Sequence, residues 1–148
     1  MPRTALALLA ACGLALAGCG SDEEGVPGPC TEGEAAFRTA LRAAPAPVRI
    51  QGVPLSDCLS ATAEPENLQL VGGTFGETAA GLAAAARERP RGRAAVELGY
   101  LIGAARHGGA DTQGVHAELL RRLEQELGGI DTASPAFRRG VRAGARSG

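Results

Sequence analysis

The chain has no lysine and no tryptophan, and its 148 residues include only two histidines, one tyrosine and three phenylalanines. Without a lysine amine there is no Walker A phosphate loop, no Schiff-base or pyridoxal chemistry, and no Ser-x-x-Lys nucleophile. The Gly-x-Ser-x-Gly elbow of serine hydrolases, the C-x-x-C-H haem attachment and the HExxH zinc site are also missing. Long apolar runs are scarce: the apolar run from Thr4 to Ala17 is about 14 residues, and a membrane-spanning helix needs about 20. Charge of one sign does not dominate, since the formal net charge is -1; nucleic acid is therefore not suggested as a partner. With so few aromatics, Leu, Val, Ile and Ala must fill any core. All basic residues are arginine, and 30 alanines and 22 glycines accompany them, a usage that reads first as the codon bias of a GC-rich genome.

The N-terminus is built like an export signal. Arg3 supplies a positive charge, Leu6, Leu8, Leu9, Leu14 and Leu16 sit among alanines, and small residues follow, the order expected of a segment removed on secretion. The run ends in Leu16-Ala17-Gly18-Cys19 and then turns polar and acidic at Gly20-Ser21-Asp22-Glu23-Glu24. That tetrapeptide resembles the lipobox of bacterial lipoproteins. The resemblance implies diacylglycerol on the thiol of Cys19, cleavage before it, and anchoring on the extracytoplasmic face of a cell membrane. A second string, Leu9-Ala10-Ala11-Cys12, would leave an apolar stretch of only about five residues before the cut. Cys19 is preferred, and the polar stretch after it serves as a tether with a reach of roughly 15–20 Å. The expected organisation is a signal peptide at 1–18, a lipidated tether at 19–29 and one domain at 30–148.

If Cys12 leaves with the signal and Cys19 carries lipid, as the resemblance implies, Cys30 and Cys58 are the thiols that remain. Two such cysteines in an exported domain most often form a structural disulfide. The alternative, a redox or metal pair, would call for C-x-x-C spacing or neighbouring histidines.

Periodicity predicts helices throughout the domain. Thr31-Glu32-Gly33-Glu34 has the form of a capping box opening a helix to about Ala44, with Ala36, Phe37, Ala40 and Leu41 inward; Pro45 and Pro47 stop it. Val48 to Leu55 reads as an extended connector, and Ser56 as the cap of a short turn carrying Cys58 and Leu59. Pro65 suits the first position of a longer helix that buries Leu68, Val71, Phe75, Ala79, Leu82 and Ala86 and ends by Pro90. A third helix spans about Arg93 to Arg106, with Val96, Tyr100 and Gly103 on one stripe and Leu98, Leu101 and Ile102 beside it, up to Gly108-Gly109. Asp111 or Thr112 caps a fourth, with Val115, Leu119, Leu123 and Leu127 in line and Gly128-Gly129 at its close. Ser134-Pro135 opens the last, with Phe137, Val141 and Ala145 as its apolar stripe. No segment alternates with period two for long enough to suggest a strand. The expected fold is all-α, a small bundle of about five helices with one disulfide.

Glycines inside the helices are less ordinary, since each costs about 0.8–1.0 kcal/mol against alanine. Gly72-x-x-x-Gly76 and Gly99-x-x-x-Gly103 each place two glycines on one face. Two readings are open: tight packing in an alanine-rich core, or exposed backbone lining a groove for a ligand or partner. His107 at a helix C-terminus reads as a dipole-complementing cap. His116 could act as an acid/base group with Glu97 or Tyr100. The histidines and scattered acids do not form a metal-binding pattern, and no cofactor is indicated. Arg138, Arg142 and Arg146 recur every four residues on the last helix, with Arg139 beside them and no acid after Asp131. They suit either a solvated face or contact with anionic lipid head groups. Functionally the sequence favours a tethered, non-enzymatic module for a partner protein or small apolar ligand. The alternative is a small extracytoplasmic enzyme using His116, and a solute-binding subunit is a third idea for which the chain is short.

Overall fold

The computed structural model describes residues 26–60, 65–110 and 114–148, without the side chains of 65–68 and 115. Cys12, Cys19 and most of the tether lie outside the described residues, as do Asp111 and Thr112, the expected cap of the fourth helix. The described chain is an all-α bundle with one very small hairpin. A 3₁₀ turn, Gly28–Thr31, leads into α1 (Glu34–Leu41), then β1 (Arg49–Ile50), β2 (Val53–Pro54) and the single-turn α2 (Asp57–Ser60). The long helices follow: α3 (Pro65–Glu88), α4 (Arg93–Gly108), α5 (Val115–Gln125) and α6 (Pro135–Ser147). The Cys30–Cys58 bridge is closed, with an S–S distance of 2.06 Å. It ties the first turn to α2, and the chain-entropy model assigns a loop of this length about 3.5 kcal/mol.

Helix α4 is the axle. Every residue from Ala95 to Ala105 is buried, as expected of a helix that is apolar all round. Helix α3 lies along one side and buries Val71, Phe75, Ala79, Leu82 and Ala86. Phe75 meets Phe37 of α1 edge to face, ring centroids 5.1 Å apart, a pairing worth about 0.5–1.5 kcal/mol beyond its buried area. Helix α6 lies against another side of α4. Ser134 caps it by accepting the Phe137 N–H at 3.2 Å, and Pro135 occupies its first turn.

Several local expectations are corrected. Thr31 does not cap α1: its hydroxyl donates back to the Gly28 carbonyl at 2.8 Å, and the N-cap is Gly33 at φ 81°. That left-handed geometry suits glycine far better than threonine, and α1 ends earlier than expected, at Leu41. The connector is a hairpin, Arg49 paired with Pro54 and Ile50 with Val53. Gln51 and Gly52 both have positive φ, as a two-residue hairpin turn that follows the strand twist requires. The Ser56 hydroxyl reaches the Gly148 carbonyl, not only its own short helix. Finally, the inward stripe of α6 is rotated. Ala136, Phe137, Gly140, Ala143 and Gly144 are buried, whereas Val141 is half-buried and Ala145 exposed.

The rotation follows from glycine. Ideal β-carbons at Gly140 and Gly144 would lie 2.1 Å from the carbonyl oxygens of Val96 and Tyr100. Reciprocally, β-carbons at Gly99 and Gly103 would lie 2.2 and 2.3 Å from those of Phe137 and Val141. The two helices thus meet backbone to backbone along both glycine pairs, closer than any side chain permits.

Candidate functional site

The glycines of α3 behave differently. Gly72, Gly73 and Gly76 form one wall of an open groove whose other wall is α5, through Glu118, Leu119, Arg122, Leu123, Gln125 and Glu126. Its volume is about 780 Å³, within the usual range for binding sites. The contrast with α4 is local. A β-carbon at Gly72 would touch a Leu119 methyl at 3.4 Å, while at Gly73 or Gly76 it would meet nothing within 4 Å. Leu119 and Leu123 are buried and give the groove an apolar floor. Leu70, also on α3, is the large apolar side chain left exposed among the described residues, at 55%.

One rim is charged and ordered. Glu118 accepts from Arg121 Nε and Nη2 and from Arg122 Nε, each at 2.8 Å. Hydrogen bonds from Arg121 and then Arg122 hold its carboxyl down to about 2, and the same contact raises Arg121. At the far end, Arg87 of α3 donates to the carbonyls of Gly128 and Glu126, both at 3.0 Å. It satisfies free carbonyls just past α5, where a cation is favoured, and ties α3 to the segment after α5. The groove is therefore pinned at its distal end and left unfilled between Gln69 and Gly76.

The expectation that both glycine pairs could line a groove is corrected for one of them: Gly99 and Gly103 are buried against α6. Nor do His116, Glu97 and Tyr100 come together. Tyr100 accepts the Val48 N–H at 2.9 Å and donates to the Ser147 carbonyl at 2.7 Å. Glu97 is held by Arg93 at 2.7 Å near the start of α4. His116 Nε2 lies 2.7 Å from the Leu59 carbonyl, and the Leu59 side chain packs where a β-carbon on Gly108 would sit. From Glu97 to that end of α4 is about 16 Å of helical rise. His107 is exposed in the last turn of α4. No group of three or more His, Cys, Asp or Glu among the described residues could hold a metal ion.

Sequence reading placed Gly72 and Gly76, but not Gly73, on a possible groove, and took Leu119 and Leu123 as a packing stripe without seeing that α5 forms the other wall. The signal for the wall was available in Glu118-x-x-Arg121-Arg122, whose spacing puts both guanidinium groups beside the carboxylate. No family model, curated protein or solved structure matches the chain. The chemistry of the groove stands on its own residues.

Proposed function

We propose that the protein is a membrane-tethered extracytoplasmic lipoprotein that works as a non-enzymatic binding module, with the groove between α3 and α5 receiving an apolar segment of a partner protein. The observation that carries this reading is the groove itself: glycine backbone along one wall, Leu119 and Leu123 beneath, ordered charge at the rim. Three glycines within a helix are costly unless their missing side chains are used, and a partner helix or strand gains close approach there. The groove is half open to solvent. Small-molecule sites instead bury most of the ligand's surface, so a partner segment fits better than a small apolar ligand. The lipobox resemblance supports the tether, and the Cys30–Cys58 disulfide is in keeping with an oxidising compartment.

The test is photo-crosslinking in the native membrane from a probe at Gln69, with Ala84, exposed farther along α3, as control. A discrete protein adduct from Gln69 and none from Ala84 is expected. Adducts to lipid alone, or equal labelling from both positions, would remove the groove as a protein-binding site.

A further inference from the structure

Several arginines of the described chain are held by a partner. Arg38, Arg93, Arg106, Arg121 and Arg122 form ion pairs, and Arg87 is bound to backbone carbonyls. Those of α6 are not, nor are Arg42, Arg89 and Arg91, but only on α6 do unpaired arginines recur along one helix face. Arg138, Arg139, Arg142 and Arg146 are exposed and make no ion pair among the described residues. Glu124 shares a recess with Arg138 and Arg142 and is already held by Arg106 at 2.6 Å. Asp131 precedes the helix and accepts the Ala133 N–H at 3.1 Å.

Gly140 and Gly144 turn the opposite face of α6 into α4, so Arg138, Arg142 and Arg146 form an outward row about 12 Å long. The row runs toward the end of the bundle from which the N-terminal segment leaves. Cys30 is bridged to Cys58, and Ser56, two residues earlier, donates to the carbonyl of Gly148, just past α6. Val26 packs against the same core. From Cys19 to Val26 the chain can span at most roughly 25 Å.

We propose that the arginine face of α6 rests on the anionic phospholipid head groups of the membrane that carries the lipid anchor. The proposal deepens the tethered-module reading and rests on it for proximity. An unpaired cationic row complements an anionic lipid surface, and a short tether keeps the two within range of each other. Contact here would orient the domain and fix where the α3–α5 groove faces.

The test uses the full processed chain, purified from membranes, with an environment-sensitive dye on Ala145→Cys, an exposed α6 position between Arg142 and Arg146. It is presented with vesicles of phosphatidylcholine alone and of phosphatidylcholine mixed with phosphatidylglycerol. The dye should report head-group contact on the anionic vesicles only, and the contact should disappear in molar salt, where the screening length falls to about 3 Å. Replacing all three arginines by Gln should weaken the contact about a hundredfold, with helicity checked by circular dichroism; R138E/R142E/R146E should weaken it further. Equal signals on both vesicles, or no effect of folded variants, would overturn the proposal. So would a dye signal that responds to D22N/E23Q/E24Q but not to lipid composition, because the acidic tether would then occupy the face. Contact with a protein in native membranes but not with lipid vesicles would overturn it too. Mass spectrometry of the N-terminal peptide reads the anchor separately. A chain without lipid on Cys19 that still contacts anionic vesicles keeps the face and removes the anchor, whereas a lipidated chain with equal signals does the reverse.

Discussion

Gly144 lies so close to Tyr100 that a β-carbon built on it would sit 2.1 Å from the Tyr100 carbonyl oxygen. The obstacle is backbone in the middle of a buried helix, so it cannot swing aside as a side chain could. Gly140 against Val96, Gly99 against Phe137 and Gly103 against Val141 repeat the relationship. The glycines that cost helix propensity in α4 and α6 therefore allow the contact on which the bundle is built.

Alanine at Gly140 or Gly144 should destabilise the protein by about 1–3 kcal/mol or more through overpacking, despite the gain of up to about 1 kcal/mol in helix propensity. Gly73→Ala is the control. With nothing within 4 Å of its β-carbon, it should keep or raise stability by about 0.5–1 kcal/mol. Urea midpoints measure both, and equal effects at Gly73 and Gly144 would contradict the packing account.

The same contact explains what was legible in the sequence. Pro65, Pro90 and Ser134-Pro135 mark the ends of helices because they act locally, through missing N–H groups and a capping hydroxyl. The inward face of α6 was misjudged because hydrophobic periodicity weights Val141 and Ala145, while glycine carries no apolar signal. Gly140-x-x-x-Gly144 has the spacing of Gly99-x-x-x-Gly103 but was not singled out, and that the two pairs meet is a tertiary fact. The Gln51-Gly52 turn was hidden by strands of two residues, too short to show alternation. The groove was half legible: Gly72 and Gly76 could be named, but the open space over Gly76 depends on how far α5 stands from α3.

Tyr100 closes the far side of the bundle. Its buried hydroxyl accepts from Val48 N–H and donates to the Ser147 carbonyl. Tyr100→Phe should leave the Val48 N–H buried without its acceptor and cost about 1–3 kcal/mol. Amide exchange at Val48 should speed up along with the drop in denaturation midpoint. Unchanged exchange there would mean that another acceptor takes over.

Glu118 sets an acid limit on α5. Its carboxyl is depressed from 4.5 to about 2 by Arg121 and Arg122, so folding binds a proton more weakly at this site than the unfolded chain does. The stabilisation is present above about 4.5 and is lost as pH falls toward 2. Carboxyl NMR titration should find the low value, and it should return toward normal in R121A/R122A. A normal value in the wild-type chain would show that solvent screening cancels the pairing.

Filling the groove separates binding from folding. Gly76 is half-buried, yet a β-carbon there meets nothing within 4 Å, so Gly76→Leu has room and removes an interior helix glycine worth about 1 kcal/mol. The folded protein should hold or gain thermal stability. Its crosslink from Gln69 should nevertheless fall by about tenfold or more, because the leucine occupies the space a partner segment would use. Alanine at Gly99 should do the opposite, lowering stability through its clash with α6 without filling the groove. Stable Gly76→Leu protein that still captures its partner in full would show that binding happens elsewhere on the bundle.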